Sequence, residues 1–346
     1  MTKFDLQLAF RSIPVEKDKL DEWALIVLNE IINNCSEPLQ IEELICILIG
    51  LICSIKVGLT PNISQMSQVA TFCKTNGRFQ ELLLNLFNYT DPMSLAIDSF
   101  FFKSVLFDKS INLSKLEISL KKDGYVVWPK LLSSELVDEI LQLPKLYPSA
   151  SVLNINEERF FVNCSSPLRF LNSDCIKLTY KIRNDDTTLN VIAADPVLLY
   201  FVRKYLGVKA VLRHAYLDYS FPSAADTASS EAAQLYHFDL DSFQWLKIFI
   251  YLNSVNEQNG PHCALLGSHL AGAKPPELLL RGYDRVSDNE LIATSQSLPT
   301  SFIGYTGSII IGDTKAYHKG KPLISNYRSM LTLFYSTSLF GYNLGE

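Results

Sequence analysis

Short, strongly apolar β segments dominate the last third of the chain. Residues 245–252 (WLKIFIYL), 307–311 (GSIII) and 328–335 (RSMLTLFY) are rich in β-branched and aromatic side chains, with turn-forming stretches between them. Residues 210–219 alternate in character and add another strand, after a helix that opens at Asp195-Pro196 and runs to about Tyr205. Residues 220–231 are rich in Ser, Ala and Asp and read as a loop. Many short strands with frequent turn signals predict an antiparallel barrel or jelly roll.

The first third has a different texture. From residue 15 to about 108, apolar residues recur at helical spacing in 20–32, 41–55 and 79–87, with breaks at Ser36-Glu37-Pro38, Thr60-Pro61-Asn62 and Asp91-Pro92. Near Leu116 a helix begins and Gly124 stops it. Residues 125–129 then read as a strand, and Ser133-Ser134-Glu135 opens a helix to about Leu143. The chain is therefore expected to be α+β, with a helical region over residues 1–114 and a β-rich domain over 115–346.

At 346 residues and 48% hydrophobic composition the chain can bury a sizeable core. Its 31 basic and 36 acidic residues contain no run of Lys or Arg able to track a phosphate backbone, so nucleic acid is not an expected partner. Seven cysteines, with no Cys-x-x-Cys pair, read as free thiols in a reducing cytoplasm. Residues 44–59 form the most apolar stretch, but Ser54 and Lys56 interrupt it. A buried helix is expected there rather than a bilayer span, which requires roughly 20 apolar residues.

Five histidines limit any metal site: His214, His237, His262, His269 and His318. In Tyr236-His237-Phe238-Asp239 the His and Asp lie two apart, so on an extended backbone both face one way and can bind one ion. A solvated strand end carries the same pattern. His318, after the β run at 307–311, could complete a set of two imidazoles and one carboxylate. Such a facial set leaves coordination positions open and suits iron(II), whereas a closed zinc site wants a fourth protein ligand. Arg328 heads the last β run, and its forked donors match a carboxylate. Lys247 sits in an otherwise apolar strand on one face with Trp245, Phe249 and Tyr251. It either contacts a cosubstrate or anionic substrate group or snorkels to solvent. Tyr216 and Tyr219 are candidate pocket walls, and His262 and His214 are expected as structural or pocket-rim residues.

Taken in order, Lys122-Asp123-Gly124-Tyr125-Val126-Val127, His237-Phe238-Asp239, Asn259-Gly260-Pro261-His262 with Gly267-Ser268-His269, Gly312-Asp313 with His318, and Arg328 carry a family likeness. Over residues 116–340 the chain resembles the phytanoyl-CoA dioxygenase family of Fe(II)/2-oxoglutarate-dependent oxygenases. The resemblance implies a double-stranded β-helix (a cupin-like jelly roll) with iron on His237, Asp239 and His318, and the 2-oxoglutarate carboxylate on Arg328. It also implies a turn or supporting role for His269. Hydroxylation of a C–H bond by dioxygen, with 2-oxoglutarate as cosubstrate, is the implied reaction. The presence of Asp239 sets the site apart from related halogenases, which lack that carboxylate. The family acts on acyl-CoA thioesters, compatible solutes and natural-product intermediates, and no residue here selects among them. Lys315, Lys319 and Lys321 near His318 either form a basic rim for a CoA ester or are solvated loop lysines. Two other classes fit the same residues: a cupin-like metalloenzyme that does not use 2-oxoglutarate, and a non-catalytic binding barrel. The sequence does not indicate the oligomeric state.

Overall fold

The computed structural model describes residues 110–337 apart from 207–209, 224–227, 241–243, 283 and 296, together with 72, 73, 76, 77, 104–106 and 108. The helices expected over 20–32, 41–55 and 79–87, and the apolar stretch 44–59, lie outside the described residues. So do Cys35, Cys46 and Cys53; Cys73, Cys164, Cys175 and Cys263 are free thiols. Among the described residues no helix is long and apolar enough to cross a membrane.

Local capping chemistry sets the first elements. Asn112 accepts a hydrogen bond from the Lys115 amide at the start of α1 (Leu113–Asp123), and Gly124 ends it in the left-handed conformation at φ +77°. A Cβ on Gly124 would lie 2.5 Å from the His269 ring, so the position demands glycine on two counts. β1 (Tyr125–Val127) follows, then α2 (Ser134–Leu141), capped by Ser133, and α3 (Leu143–Leu146). β2 (Ser149–Asn154), β3 (Arg159–Asn163) and β4 (Cys175–Ile182) lead to α4 (Thr187–Ala193) and α5 (Pro196–Leu206). The Asp195 carboxylate caps α5 through the Val197 and Leu198 amides and also accepts from Ser104 Oγ at 2.8 Å, which ties the chain before α1 to the domain.

The remaining elements are β5 (Ala210–Ser220), β6 (Trp245–Tyr251), β7 (His262–Ala264), α6 (Pro276–Leu279), α7 (Asp288–Thr294), β8 (Thr300–Phe302), β9 (Ile309–Gly312), β10 (His318–Gly320) and β11 (Arg328–Thr337). The larger sheet has the order β1-β9-β6-β11-β5-β4-β2-β3, and the smaller β10-β7-β8. All pairings are antiparallel. Residue His237 bridges His318 and so extends the smaller sheet. From β5 onward the chain crosses between the sheets at each step except from β7 to β8, which pair within the smaller one. β5, β6, β9 and β11 form the middle of the larger one; His237, β7, β8 and β10 form the smaller. That winding is the double-stranded β-helix, with residues 113–206 supplying extra strands and flanking helices.

Strand alternation then divides the larger sheet into two chemistries. Ala215, Leu217, Tyr219, Ile248, Ile250, Leu331 and Leu333 join the main core with Leu189, Val197, Leu198 and Phe201 of α4 and α5. Burying aliphatic side chains of this kind contributes about 1.5–3 kcal/mol each. The opposite parity, Tyr216, Asp218, Lys247, Phe249, Met330, Thr332 and Phe334, faces the space between the two sheets. Tyr216 and Tyr219 have opposite parity, so only Tyr216 is a cavity wall. Tyr219 lies in the core, its ring 6.2 Å from that of Tyr180.

Part of the region before residue 110 packs on the far side of the smaller sheet. Phe72 is buried with its ring 5.2 Å from Phe238, Asn76 donates to the Lys274 carbonyl at 3.1 Å, and the Gly272 amide donates to Asn76.

Candidate metal centre

His237 and His318 lie opposite each other and exchange both backbone hydrogen bonds, at 3.0 and 2.7 Å, while the Asp239 amide donates to the Thr314 carbonyl. The two imidazoles are thereby held side by side, with ring centroids 4.3 Å apart and planes tilted by 46°. His237 Nε2 lies 3.8 Å from Asp239 Oδ1, and His318 Nε2 lies 3.5 Å from Asp239 Oδ2. One ligating atom from each of the three residues falls within 4.8 Å of the others. For bonds of ~2.1 Å, ligands on one face of an octahedron sit about 3 Å apart, so a small closure would let His237, Asp239 and His318 hold one ion.

The protonation pattern also suits a metal. Nδ1 of His237 is 3.0 Å from the Leu235 carbonyl, and Nδ1 of His318 is 2.9 Å from the Ala316 carbonyl. A carbonyl only accepts, so each Nδ1 carries the proton and each Nε2 presents a lone pair to Asp239's side of the cavity. Burial keeps both rings neutral by pushing their pKa down, aided at His237 by its neighbour His318. Burial alone would raise the Asp239 carboxyl. The Lys247 ammonium outweighs it and holds the group well below the usual carboxylate range.

Lys247 reaches inward from β6, and its Nζ lies 2.6 Å from Asp239 Oδ2 and 5.5 Å from the Phe334 ring centroid. The structure thus brings Lys247 to the carboxylate of the triad rather than to solvent. Arg328 lines the same cavity. Its Nη1 donates to the Gly260 carbonyl and its Nη2 to Ser220 Oγ at 3.2 Å, whereas its buried Nε has no partner. Among the described residues no carboxylate forms an ion pair with it. A Cβ on Gly320 would come within 3.0 Å of Arg328 Nη2, so glycine there preserves the space before the guanidinium. A buried cation without a carboxylate is costly, and an anion in the cavity would offset that cost.

The cavity holds about 390 Å³ and runs from the triad to Arg328 and the Lys177–Asp218 ion pair. Sequence reasoning missed Met330, Thr332, Phe334 and Asp218 as lining residues. Counting in twos from Arg328 along β11, or from Tyr216 along β5, reaches them. His214 is a wall residue, its ring stacked on Phe334 at 5.9 Å. Lys315, Lys319 and Lys321 each meet a carboxylate, from Asp313, Asp288 and Glu257 respectively. Among the described residues His269 hydrogen-bonds no cavity group; its Nε2 meets the Lys121 carbonyl, behind Gly124. Asp313 N donates to the Gly124 carbonyl and Gly267 N to the Asp123 carbonyl, so the Asp-Gly-Tyr, Gly-Ser-His and Gly-Asp segments form one structural knot.

No family model matches the chain, and no curated protein matches it. Solved structures with a similar fold include the non-heme alpha ketoglutarate-dependent epimerase SnoN from nogalamycin biosynthesis, solved with Fe3+, alpha ketoglutarate and nogalamycin RO. It is 13% identical, with a TM-score of 0.48, over 65% of this chain and 84% of SnoN. HygX from Streptomyces hygroscopicus, with nickel and 2-oxoglutarate bound, is 15% identical over 67% of this chain and 89% of its own, TM-score 0.46. EctD from S. alaskensis with bound Fe is 16% identical over 67% and 79%, TM-score 0.43. Functional assignment rests on the side-chain geometry of this chain: a double-stranded β-helix with a His-Asp-His candidate metal triad.

Proposed function

We propose that the protein is an Fe(II)- and 2-oxoglutarate-dependent dioxygenase that hydroxylates a small-molecule or acyl substrate. The observation that carries this reading is the placement of the triad and an arginine without a carboxylate at separate positions along one cavity. Two neutral imidazoles and a carboxylate suit iron(II) and leave room for a chelating cosubstrate, and the Arg328 guanidinium, which meets no carboxylate among the described residues, suits its far carboxylate. When bound, the metal and 2-oxoglutarate supply the oxidising chemistry, using dioxygen.

The chain's own contribution is placement. His237 and His318 offer Nε2 lone pairs locked by their Nδ1 bonds to carbonyls, and Lys247 fixes the rotamer and charge of Asp239. The rings of Phe249 and Phe334 keep bulk water from the centre, while His214, Tyr216 and the Lys177–Asp218 pair form the wall left for substrate. The helical region over residues 1–114 is proposed as a separate unit that packs on the barrel, as the Phe72 contact supports.

Anaerobic titration with iron(II) and 2-oxoglutarate tests the assignment through the weak visible charge-transfer band of the chelate. A band that disappears in His318→Ala and weakens in Arg328→Ala is expected. A folded, iron-loaded protein that shows no band would favour a cupin-like metalloenzyme that does not use 2-oxoglutarate.

A further inference from the structure

His262 has no role in the reading above, yet it is buried in the cavity wall beside the triad, with its ring centroid 5.6 Å from that of His318. It stands opposite Gly320 in the β7–β10 ladder, and the open face of Gly320 points at Arg328. His262 therefore occupies the stretch of wall between the triad and the guanidinium. Phe249, at 4.4 Å between centroids, and Tyr125, at 5.4 Å, fix the ring plane.

The protonation of this ring follows from its neighbours. His262 Nε2 is 3.2 Å from the Tyr125 hydroxyl, and neither that hydroxyl nor Nδ1 has another partner among the described residues. Tyr125 is fully enclosed, its ring lying across Gly312, where a Cβ would fall 2.2 Å away. Burial raises the phenol pKa, so the O–H stays intact, and a buried O–H with a single neighbour donates to it. Nε2 is then the acceptor. An imidazole that accepts at Nε2 carries its proton on Nδ1.

We propose that Tyr125 locks His262 as the Nδ1–H tautomer, making it a hydrogen-bond donor to a carboxylate oxygen of 2-oxoglutarate lying between the triad and Arg328. This rests on the cosubstrate assignment above. His262 is the binding residue and Tyr125 its positioning residue, reached from the strand that follows Gly124.

Two measurements on the full chain decide it. In the Zn(II)-loaded protein, long-range proton–nitrogen correlation of the five histidines is expected to show His262 protonated on Nδ1, with that preference lost in Tyr125→Phe. Calorimetry of Ni(II)-loaded protein with 2-oxoglutarate is expected to show at least tenfold weaker binding in His262→Phe and Tyr125→Phe, at unchanged nickel affinity, with partial recovery in His262→Gln, which retains a donor. An Nε2–H tautomer in the wild type overturns the proposal. So does equal 2-oxoglutarate affinity in wild type and His262→Phe. A wild type that binds nickel but not 2-oxoglutarate overturns the cosubstrate assignment, and this inference with it.

Discussion

Replacing Lys247 by Met keeps most of the side-chain volume and removes the ammonium that lies 2.6 Å from Asp239 Oδ2. The pair is largely buried, with side-chain exposures of 20% for Lys247 and 12% for Asp239. Taking away one partner of a buried ion pair costs roughly 3–5 kcal/mol, because the other charge is left without compensation. Residual access to cavity water puts this pair near the lower end, ~3 kcal/mol. For a unit of this size each kcal/mol moves Tm by about 2–4 °C, which gives a drop of about 6–12 °C in metal-free protein. A bound divalent ion would neutralise Asp239 in place of the ammonium and would no longer be repelled by it. The deficit should therefore shrink, and nickel should raise the Tm of Lys247→Met more than that of wild type. Thermal unfolding of both proteins in chelator and in excess nickel makes the comparison. An equal loss in both conditions would mean that Lys247 supports packing alone, and no loss in chelator would remove its pairing with Asp239 from the account.

Three further outcomes can be checked. Arg328→Ala should weaken calorimetric binding of 2-oxoglutarate while leaving nickel binding intact, since the guanidinium lies away from the triad on the strand after β10. Lys274 is enclosed by the rings of Phe72, Phe238 and Tyr317, and burial pushes it down to about 7. The unfolded chain keeps that proton to about pH 10.4, so it binds more protons than the folded state between about pH 7 and 10. Stability contributed by this residue should rise with pH across that window by at most about 1.4 kcal/mol per pH unit, and urea unfolding of Lys274→Met should lack the slope. Phe72→Ala should cost about 3–5 kcal/mol in urea unfolding, through loss of its contact with Phe238; a cost near zero would detach this segment from the domain.

Much of the candidate site was legible because its ligands are close in sequence or sit beside strong β runs. His237 and Asp239 share parity, His318 follows 307–311, and Arg328 heads the last run. Alternation also set Lys247 on one face with Trp245, Phe249 and Tyr251 but left open whether its ammonium turned inward or to solvent, and a strict count in twos would have set Tyr216 and Tyr219 on opposite faces. The three-residue strands β7, β8 and β10 were not legible, because three residues cannot display a period. Tertiary structure alone decided what Lys247 touches and that Tyr125 meets His262 across 137 residues. The same holds for the joining of the Asp-Gly-Tyr, Gly-Ser-His and Gly-Asp segments into one knot. Periodicity along a strand states which side a residue faces. Which partner it finds there depends on the register between strands and the separation of the two sheets, and those are set by the packing of the whole chain.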